Sequence, residues 1–298
     1  MKRRLGLSFA AAVALALPSA AAAQQGSFVL FGKQSEDMLS LSPERRVVHP
    51  VTAPYFHEDS FVTTDVRAWY AYHSFPKSIA LNGGDAHVYA AQARLALTDR
   101  IQFVAYKDGY VDLDSGLIKE SGWNDLAAGL KFALYQDWKN DFHISAGVGY
   151  QFAVGDAKVL QNDQEARVWA SVNKGFGPLH LGATVNYLKH TGSQGPLGAS
   201  DRIIWHLHAD YYVNKYFSPV VELNGYHSVN DGNEVLPFSG ADIANLGGGD
   251  DLVTLGLGLE IRPIPDIPLA LRAAYETDLT SGDNLYGYRW TFSVLYSF

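Results

Sequence analysis

The chain has 298 residues, no cysteine and a formal net charge of −8. An acidic chain without a basic run is a poor candidate for nucleic-acid binding, and a chain without thiols forms no disulfide. Mean hydropathy is close to zero although 47% of the residues are hydrophobic, which is typical of a chain in which apolar and polar residues alternate.

The first 23 residues have the organisation of a secretory signal peptide. Lys2, Arg3 and Arg4 form a positive region, residues 5–17 form a short apolar run, and residues 18–23 are small residues typical of a cleavage site. The run is too short to span a bilayer stably. We therefore expect export across the inner membrane and a mature N-terminus at Gln24.

Residues 24–60 follow no clear strand or helix period. They contain Ser42-Pro43, His49-Pro50 and Ala53-Pro54, and residues 51–56 form an apolar and aromatic cluster. Two alternatives remain open for this segment. The weak periodicity favours a disordered periplasmic lead, whereas the apolar cluster favours a plug that folds back into the lumen of the domain that follows.

Residues 61–298 consist of alternating segments separated by turn signals. Short and long connections also alternate, which is the known asymmetry of transmembrane barrels. The pattern predicts an all-β fold, a transmembrane antiparallel up-and-down β-barrel of about 12 strands with both termini periplasmic. The predicted strands are 63–75, 86–97, 101–107, 125–135, 142–153, 167–174, 179–188, 202–213, 217–227, 252–262, 269–276 and 286–298.

The last predicted strand has the clearest alternation. One face carries Tyr286, Tyr288, Trp290, Phe292, Val294, Tyr296 and Phe298, and the other is mostly small or polar. The aromatic face is expected to meet outer-membrane lipid. The loop 229–251 is acidic, and its carboxylates are expected to meet lipopolysaccharide. Tyr296 and Phe298 resemble the C-terminal signal that the barrel-insertion machinery reads, so that machinery is an expected partner.

Polar residues alternate with the lipid-facing ones and are therefore expected to line the lumen. A charged side chain on the lipid face near the midplane would cost about 2–4 kcal/mol. The candidates for lumen lining and solute contact are Arg67, Arg94, Lys131, His206, His208, Asp210, Glu222, Glu260, Arg272, Glu276 and Arg289.

One predicted hairpin brings several of these side chains together. If Val213 pairs with Phe217, His208 lies opposite Glu222 and His206 opposite Asn224. A polar wall of histidines bonded to carboxylates is the simpler interpretation, and a shared metal is the alternative. We expect neither a metal nor a cofactor.

The last three strands carry four further charges. Glu260, Arg272, Glu276 and Arg289 are expected to form an inward ladder of alternating sign. Structural pairing is the default interpretation, because an unpaired charge in a narrow lumen is costly. Guidance of an anionic solute past the ladder is the functional alternative.

His143-Ile144-Ser145 has the spacing of the His-x-Ser pair of an outer-membrane phospholipase. In that enzyme the pair faces lipid, whereas here Phe142 and Ile144 take the lipid face. His143 and Ser145 should then face inward, and no orienting Asn or Asp is evident. We therefore expect no catalytic site and no enzyme activity.

The middle of the chain resembles a family of outer-membrane transporter barrels that includes proteins of phenol-degradation pathways. The matching residues are Gly122-Trp123-Asn124-Asp125-Leu126, Gly129-Leu130-Lys131-Phe132, Gly147-Val148-Gly149 and Gly155-Asp156, whereas Ala153-Val154-Gly155 replaces the family's Pro-Thr-Gly. The resemblance implies a channel for small solutes, aromatic or apolar nutrients among them. The alternative is a closed structural or surface-binding barrel without transport activity.

Overall fold

The computed structural model of the protein describes residues 27–34, 36–77, 82–116, 119–155, 164–192, 200–230, 251–280 and 286–298. The predicted signal peptide, residues 1–23, lies outside these ranges. The described residues form an all-β structure with two short 3-10 helices, Met38–Ser40 and Pro43–Arg45. No helix in the described part is long and apolar enough to cross a membrane.

Fourteen strand segments form one antiparallel sheet. Their bounds are β1 (Asp65–Ser74), β2 (Gly84–Ala96), β3 (Ile101–Lys107), β4 (Tyr110–Ser115), β5 (Lys119–Trp123), β6 (Leu126–Asp137), β7 (Phe142–Phe152), β8 (Glu165–Phe176), β9 (Leu179–His190), β10 (Arg202–Tyr211), β11 (Phe217–Ser228), β12 (Leu252–Ile261), β13 (Leu269–Asp278) and β14 (Tyr288–Ser297).

The sheet closes on itself because β1 pairs with both β2 and β14. β3 and β4 share one place beside β2, since they pair with its residues 93–96 and 84–89 respectively. β5 and β6 share the next place by pairing with β4 and β3. The fourteen segments therefore occupy twelve places, which confirms the predicted twelve-stranded antiparallel barrel.

The two ends of the barrel differ. We call one of them the terminal end, because it carries the start of β1 and the end of β14. It also carries the short turns 97–100, 138–141, 177–178, 212–216 and 262–268. The far end carries the longer connections, between β7 and β8, β9 and β10, and β11 and β12.

The β4–β5 hairpin is the largest departure from the predicted strands. The sequence predicted a strand ending at Lys107, whereas the chain continues after a break at Gly109, whose φ is +122°. In β4 the alternation is reversed: Val111 and Leu113 are buried, and Asp112 and Asp114 are exposed. Such a segment does not fit a lipid-facing pattern, which is why the sequence search missed it.

Elsewhere the outer face is apolar, as predicted. Val148, Val168, Leu207, Val221 and Leu257 are each about half exposed. An aromatic row crosses five neighbouring strands, because register pairs join Phe292 to Tyr70, Tyr70 to Tyr89, Tyr89 to Tyr110, and Tyr110 to Trp123.

Tyr286 is a correction to the predicted aromatic face of the last strand. It lies before β14 and is only 2% exposed, with its ring 4.7 Å from the His73 ring. The bend at Gly287, whose amide donates to Ser74 O, turns the backbone before the strand begins. Tyr288, Trp290, Phe292 and Val294 stay on the outer face.

Residues 27–34 and 36–46 lie at the terminal end. The amides of Leu30 and Phe31 donate to the carbonyls of Ala96 and Leu97. Arg45 forms an ion pair of 2.6 Å with Asp141 in the β6–β7 turn. The hydrogen bonds that Arg45 donates to Asp141 raise the pKa of the Arg45 guanidinium above its ordinary value. These contacts fix the chain at the rim before it enters the barrel.

Residues 47–64, which we call the luminal segment, are all buried except for the half-buried Pro54. They form neither helix nor strand. One tight turn, in which Phe56 N and His57 N both donate to Ala53 O, reverses the segment. Ala53 has a φ of +47°, in the left-handed region that disfavours a residue with a Cβ.

Candidate functional site

The candidate site is the lumen. All eleven residues predicted to line it are at most 6% exposed, and every one lies on the inward side of its strand. The luminal segment covers many of them and forms hydrogen bonds with their side chains. Their contact with a solute stays a prediction.

Backbone amides of the luminal segment donate to side chains of the wall. The amides of Val51 and Thr52 donate to Glu222, over 3.1 and 2.7 Å. The amide of Val48 donates to Asp210 over 3.2 Å, and that of Ser60 to Asn173 Oδ1 over 2.8 Å.

The carbonyls of the segment accept from the wall in the same manner. Arg272 Nη1 donates to His49 O and Pro50 O over 3.2 and 3.3 Å. Gln92 Nε2 donates to Pro54 O over 2.7 Å, and Ser171 Oγ to Glu58 O over 2.8 Å. Buried peptide groups need such partners, and here side chains supply what a strand ladder supplies elsewhere.

Two acidic side chains of the segment neutralise basic residues of the wall. Arg94 forms a fork with Glu58, with Nη2–Oε1 at 2.6 Å and Nε–Oε2 at 3.3 Å. Lys131 Nζ lies 3.7 Å from Glu58 Oε2 and 3.5 Å from Asp59 Oδ1. Because all four groups are nearly inaccessible, each charge depends on its partner across the segment–wall contact.

The predicted histidine hairpin has the expected register. His208 pairs with Glu222 and His206 with Asn224. A hydrogen-bonded chain runs from His180 through Asp210 (2.7 Å) and His208 (3.0 Å) to Glu222 (2.7 Å). Both ring nitrogens of His208 therefore face carboxylate oxygens, so neither nitrogen is open to a metal.

Among the described residues, no three His, Asp or Glu side chains converge as metal ligands. The histidines instead contact the luminal segment. The ring of His57 stacks on that of His206 at 4.6 Å between centroids. This part of the wall positions the segment by stacking and by hydrogen bonds.

The predicted charge ladder divides into two parts. Arg289 Nη2 pairs with Glu276 Oε2 at 2.6 Å, as expected. Glu260 and Arg272 are register neighbours, but Glu260 bonds Arg262 at 2.8 Å while Arg272 donates to the luminal segment. The sequence could not predict this division, because it depends on carbonyls that enter the lumen from elsewhere in the chain.

A cluster of cations and aromatic rings surrounds Tyr55 and Phe56 at the tip of the segment. The Arg167 guanidinium lies 4.3 Å from the centroid of Trp169, 4.6 Å from that of Tyr106 and 5.3 Å from that of Phe56. Arg202 and Lys107 lie 5.6 and 5.8 Å from Phe56. A cation over the face of an aromatic ring is attracted to that ring at such distances.

Part of the inner wall toward the far end is apolar. Leu188, Ile204 and Leu252 alternate with outward residues on their strands and are completely buried. With Val88 and Tyr226 they belong to the same apolar cluster as Tyr55 and Phe56. Arg167 and Arg202 lie at the level of Leu188, so this apolar cluster is bordered by charged side chains.

Two small cavities remain beside the segment. One, of ≈ 40 Å³, lies near Arg46, Val48 and Lys215, and the other, of ≈ 10 Å³, lies near Pro50, Trp69 and Arg272. Each has room for no more than a few water molecules. A small organic solute does not fit into either of them.

His143 and Ser145 lie on the inner face of β7, as predicted. Neither ring nitrogen of His143 and not the Ser145 hydroxyl has a hydrogen-bond partner among the described residues. The His143 ring packs instead on Trp138 and Phe61, at 4.3 and 4.8 Å between centroids. A nucleophile needs a base within hydrogen-bond reach, and this pair does not provide one.

The sequence interpretation missed the partners that the luminal segment provides. Glu58 and Asp59 were not among the candidates, although they are the only carboxylates in residues 51–64. Arg167 and Arg202, at the tip, were not among these candidates either. The signal that could have found them is the apolar cluster 51–56 followed, after His57, by the two acids Glu58 and Asp59. Burial of such a segment requires an apolar surface and a basic surface on the wall.

No protein-family model and no curated protein matches this sequence. Among solved structures, the chain is similar to the COG4313 outer membrane channel from Pseudomonas putida F1, with 15% identity, a TM-score of 0.59, and coverage of 85% of this chain and 100% of that one. The NanC porin has 12% identity, a TM-score of 0.49, and coverage of 79% and 100%; the KdgM porin has 10%, 0.47, and 80% and 99%.

At such identities the likeness to the first structure establishes the fold and nothing finer. It agrees with the closed twelve-place barrel, the apolar outer face and the polar inner wall described above. The resemblance predicted from residues 122–156 is confirmed at this level. The chain has the fold of an outer-membrane β-barrel channel.

Proposed function

We propose that this protein is an outer-membrane channel for small solutes, and that the luminal segment closes it. Residues 1–23 would direct export and be cleaved off, and the terminal end would face the periplasm, as an even number of strands and the short turns favour. The observation that carries the proposal is the way in which residues 48–60 are bound. Most of their peptide groups and acids described above bond wall side chains, and the tight turn at Ala53 is the main contact within the segment.

Binding by wall side chains, in place of a strand ladder, supports a segment that can leave the lumen. A strand leaves its ladder only by exposing a row of peptide groups to lipid, which has no partner for them. The luminal segment would expose its groups and those of the wall to water, which can hydrate both. Segments with few regular backbone bonds lie at the low end of the local stability scale.

The solutes we propose are small and include aromatic or apolar compounds. The apolar cluster of the inner wall, with Leu188, Ile204 and Leu252, supports this class. The charged wall near the terminal end, after the segment leaves, would be hydrated and would allow release of the solute toward the periplasm.

A deletion tests the proposal in planar bilayers. Removal of residues 24–60, with the signal peptide kept, should give larger and more frequent conductance steps than the complete chain gives. Removal of residues 24–34 is the matched control, because it shortens the chain but keeps the luminal segment. Equal conductance of the two deletion variants, in folded protein, would contradict closure by the segment.

A reversible crosslink tests movement without deletion. A Cβ built on Gly256 would lie 3.4 Å from Thr52 Cβ, close to the separation of about 3.5–4.5 Å that a disulfide needs. The chain has no other cysteine, so the double variant Thr52→Cys/Gly256→Cys has one pairing. Oxidised protein should show no openings, and reduction should restore them; each single variant is the control.

A closed structural barrel is the second candidate function, and the small size of the two cavities supports it. It predicts that the deletion variant also gives no conductance. Oxidation and reduction of the crosslink would then leave the conductance of the bilayer unchanged. The same two experiments therefore separate the two candidates.

A further inference from the structure

The tip of the luminal segment is bound as a ligand would be. Phe56 is completely buried, and its ring lies within 6 Å of three cationic groups, on Arg167, Arg202 and Lys107. An uncharged aliphatic plug would need no cation at this place. The wall at the tip is therefore suited to an aromatic ring.

The same arginine that touches the ring also binds two oxygens. Arg167 Nη1 donates to Tyr55 O over 3.2 Å, and Nη2 donates to Phe56 O over 2.8 Å. Its remaining acceptor is the amide oxygen of Asn186, at 2.7 Å from Nη2 and 2.9 Å from Nε. Its acceptors are all uncharged, and two carbonyl oxygens on one guanidinium occupy the positions that a carboxylate takes in a fork.

A second arginine has donors left over. Arg202 is 3% exposed and Nη2 donates to Glu165 over 2.9 Å. Its Nε and Nη1 have no acceptor among the described residues, and neither has Trp169 Nε1. Buried donors without partners cost free energy, so this part of the wall lacks an acceptor that a ligand could bring.

The fold brings the two arginines to one level. Arg167 on β8 and Arg202 on β10 are both register partners of Leu188 on β9, which lies between them. Neighbouring strands are about 4.8 Å apart, so the two arginines flank a completely buried apolar side chain. A flat ring can lie against Leu188 while an anionic group reaches either guanidinium.

We propose that this place is a binding site for aromatic carboxylates, and that Tyr55 and Phe56 occupy it in the closed state. The ring of the ligand takes the position of the Phe56 ring, beside Trp169 and Tyr106. Its carboxylate accepts from Nε or Nη1 of Arg202 and, once the segment leaves, from the fork of Arg167. This inference deepens the proposed channel function, on which it rests, by naming the solute class and its site.

Calorimetry on the complete chain with Phe56→Ala, in detergent solution, tests the site. The substitution vacates the place of the ring, and small ligands enter such cavities. The variant should bind benzoate at least about tenfold more tightly than the wild type. Phe61→Ala is the matched control, because Phe61 contacts Trp138 and His143, away from the arginines, and should bind benzoate no better than the wild type.

Two analogues separate the parts of the site. Benzyl alcohol keeps the ring and lacks the charge, and cyclohexanecarboxylate keeps the charge and lacks the aromatic face. Each should bind Phe56→Ala about tenfold more weakly than benzoate. Equal binding of benzoate and benzyl alcohol would overturn the anionic part, and equal binding of benzoate and cyclohexanecarboxylate would overturn the aromatic part.

Arg202→Met in the Phe56→Ala background should remove the preference for benzoate over benzyl alcohol. If that double variant does not fold, as judged by heat-modifiable gel mobility, the analogue series on Phe56→Ala alone decides. Folded Phe56→Ala that binds no benzoate overturns the inference.

Conductance of the deletion variant distinguishes this inference from the proposed function. Raised conductance without benzoate binding leaves the channel and removes the site. Benzoate binding without raised conductance supports the site and contradicts the channel.

Discussion

The barrel wall and the luminal segment are built from the same chain but satisfy their backbones in opposite ways. Strands such as β8 and β9 exchange peptide hydrogen bonds along their whole length. The segment takes its bonds from Glu222, Arg272, Arg167 and other side chains. The wall therefore depends on lipid outside and on neighbouring strands, whereas the segment depends on a few buried charges. A change in one should leave the other largely intact.

The strongest test of this separation is Glu222→Ala. Glu222 accepts from the Val51 and Thr52 amides and bonds His208. Loss of one member of a buried charged pair costs about 3–5 kcal/mol, so protease cleavage within residues 24–60 should accelerate a hundredfold or more, roughly, in the folded barrel.

The control for that variant is Glu260→Ala. Glu260 is equally buried but bonds Arg262 of the wall, so cleavage of the segment should stay close to the wild-type rate. Similar acceleration in both variants would show that loss of any luminal charge loosens the segment, and that Glu222 has no special place.

The converse test acts on the wall alone. Ala170 lies on the outer face at the middle of β8, between Ala146 and Val185 of the neighbouring strands. Ala170→Arg should lower the free energy of unfolding in lipid bilayers by about 2–4 kcal/mol, without faster cleavage of the segment. Ala170→Leu, which stays apolar, should leave both quantities near the wild-type values.

A smaller effect is expected at the turn of the segment. Ala53 has a φ of +47°, where a Cβ costs about 1–2 kcal/mol and glycine costs little. Glycine also raises the conformational entropy of the free segment, which weakens docking by about 0.4–1 kcal/mol. Ala53→Gly should therefore tighten the docked segment by about 0.5 kcal/mol, seen as slower cleavage. Ala91→Gly, in the extended β2, should give no such slowing.

The smallest effect is expected for Ser145→Ala. The hydroxyl is buried and has no partner among the described residues, so its removal should change stability by less than about 0.5 kcal/mol. Lipid hydrolysis by purified protein in vesicles should be the same for the variant and the wild type. A loss of hydrolysis in the variant would restore the enzyme alternative.

The fold could be predicted from the sequence because lipid imposes one strict rule on every spanning strand. Alternation placed Arg67 and Glu276 inside and Val168 and Leu257 outside, and the hairpin at 214–216 set the register of His208 with Glu222. The hairpin formed by β4 and β5 escaped because that rule does not hold outside the membrane.

The contents of the lumen could not be predicted in the same way. Residues 47–64 have no period, since their hydrogen bonds go to wall side chains such as Glu222, Arg272 and Arg167 and not to a regular ladder. Whether Arg272 pairs with Glu260 or binds carbonyls is decided by contacts more than 200 positions apart in the chain. The sequence indicated which residues face inward, and it carried no information on which of them meet the segment.

The aromatic row from Phe292 to Trp123 has a consequence for depth in the bilayer. On β2, β4 and β5, the outward residues beyond the row are polar: His87, Asp112 and Ser121. Tyr and Trp prefer the headgroup level, so the row marks the outer water boundary on this side of the barrel in the proposed orientation. The β4–β5 hairpin then stands above the headgroups, and a compound arriving from the medium meets its acidic outer face before it meets the mouth.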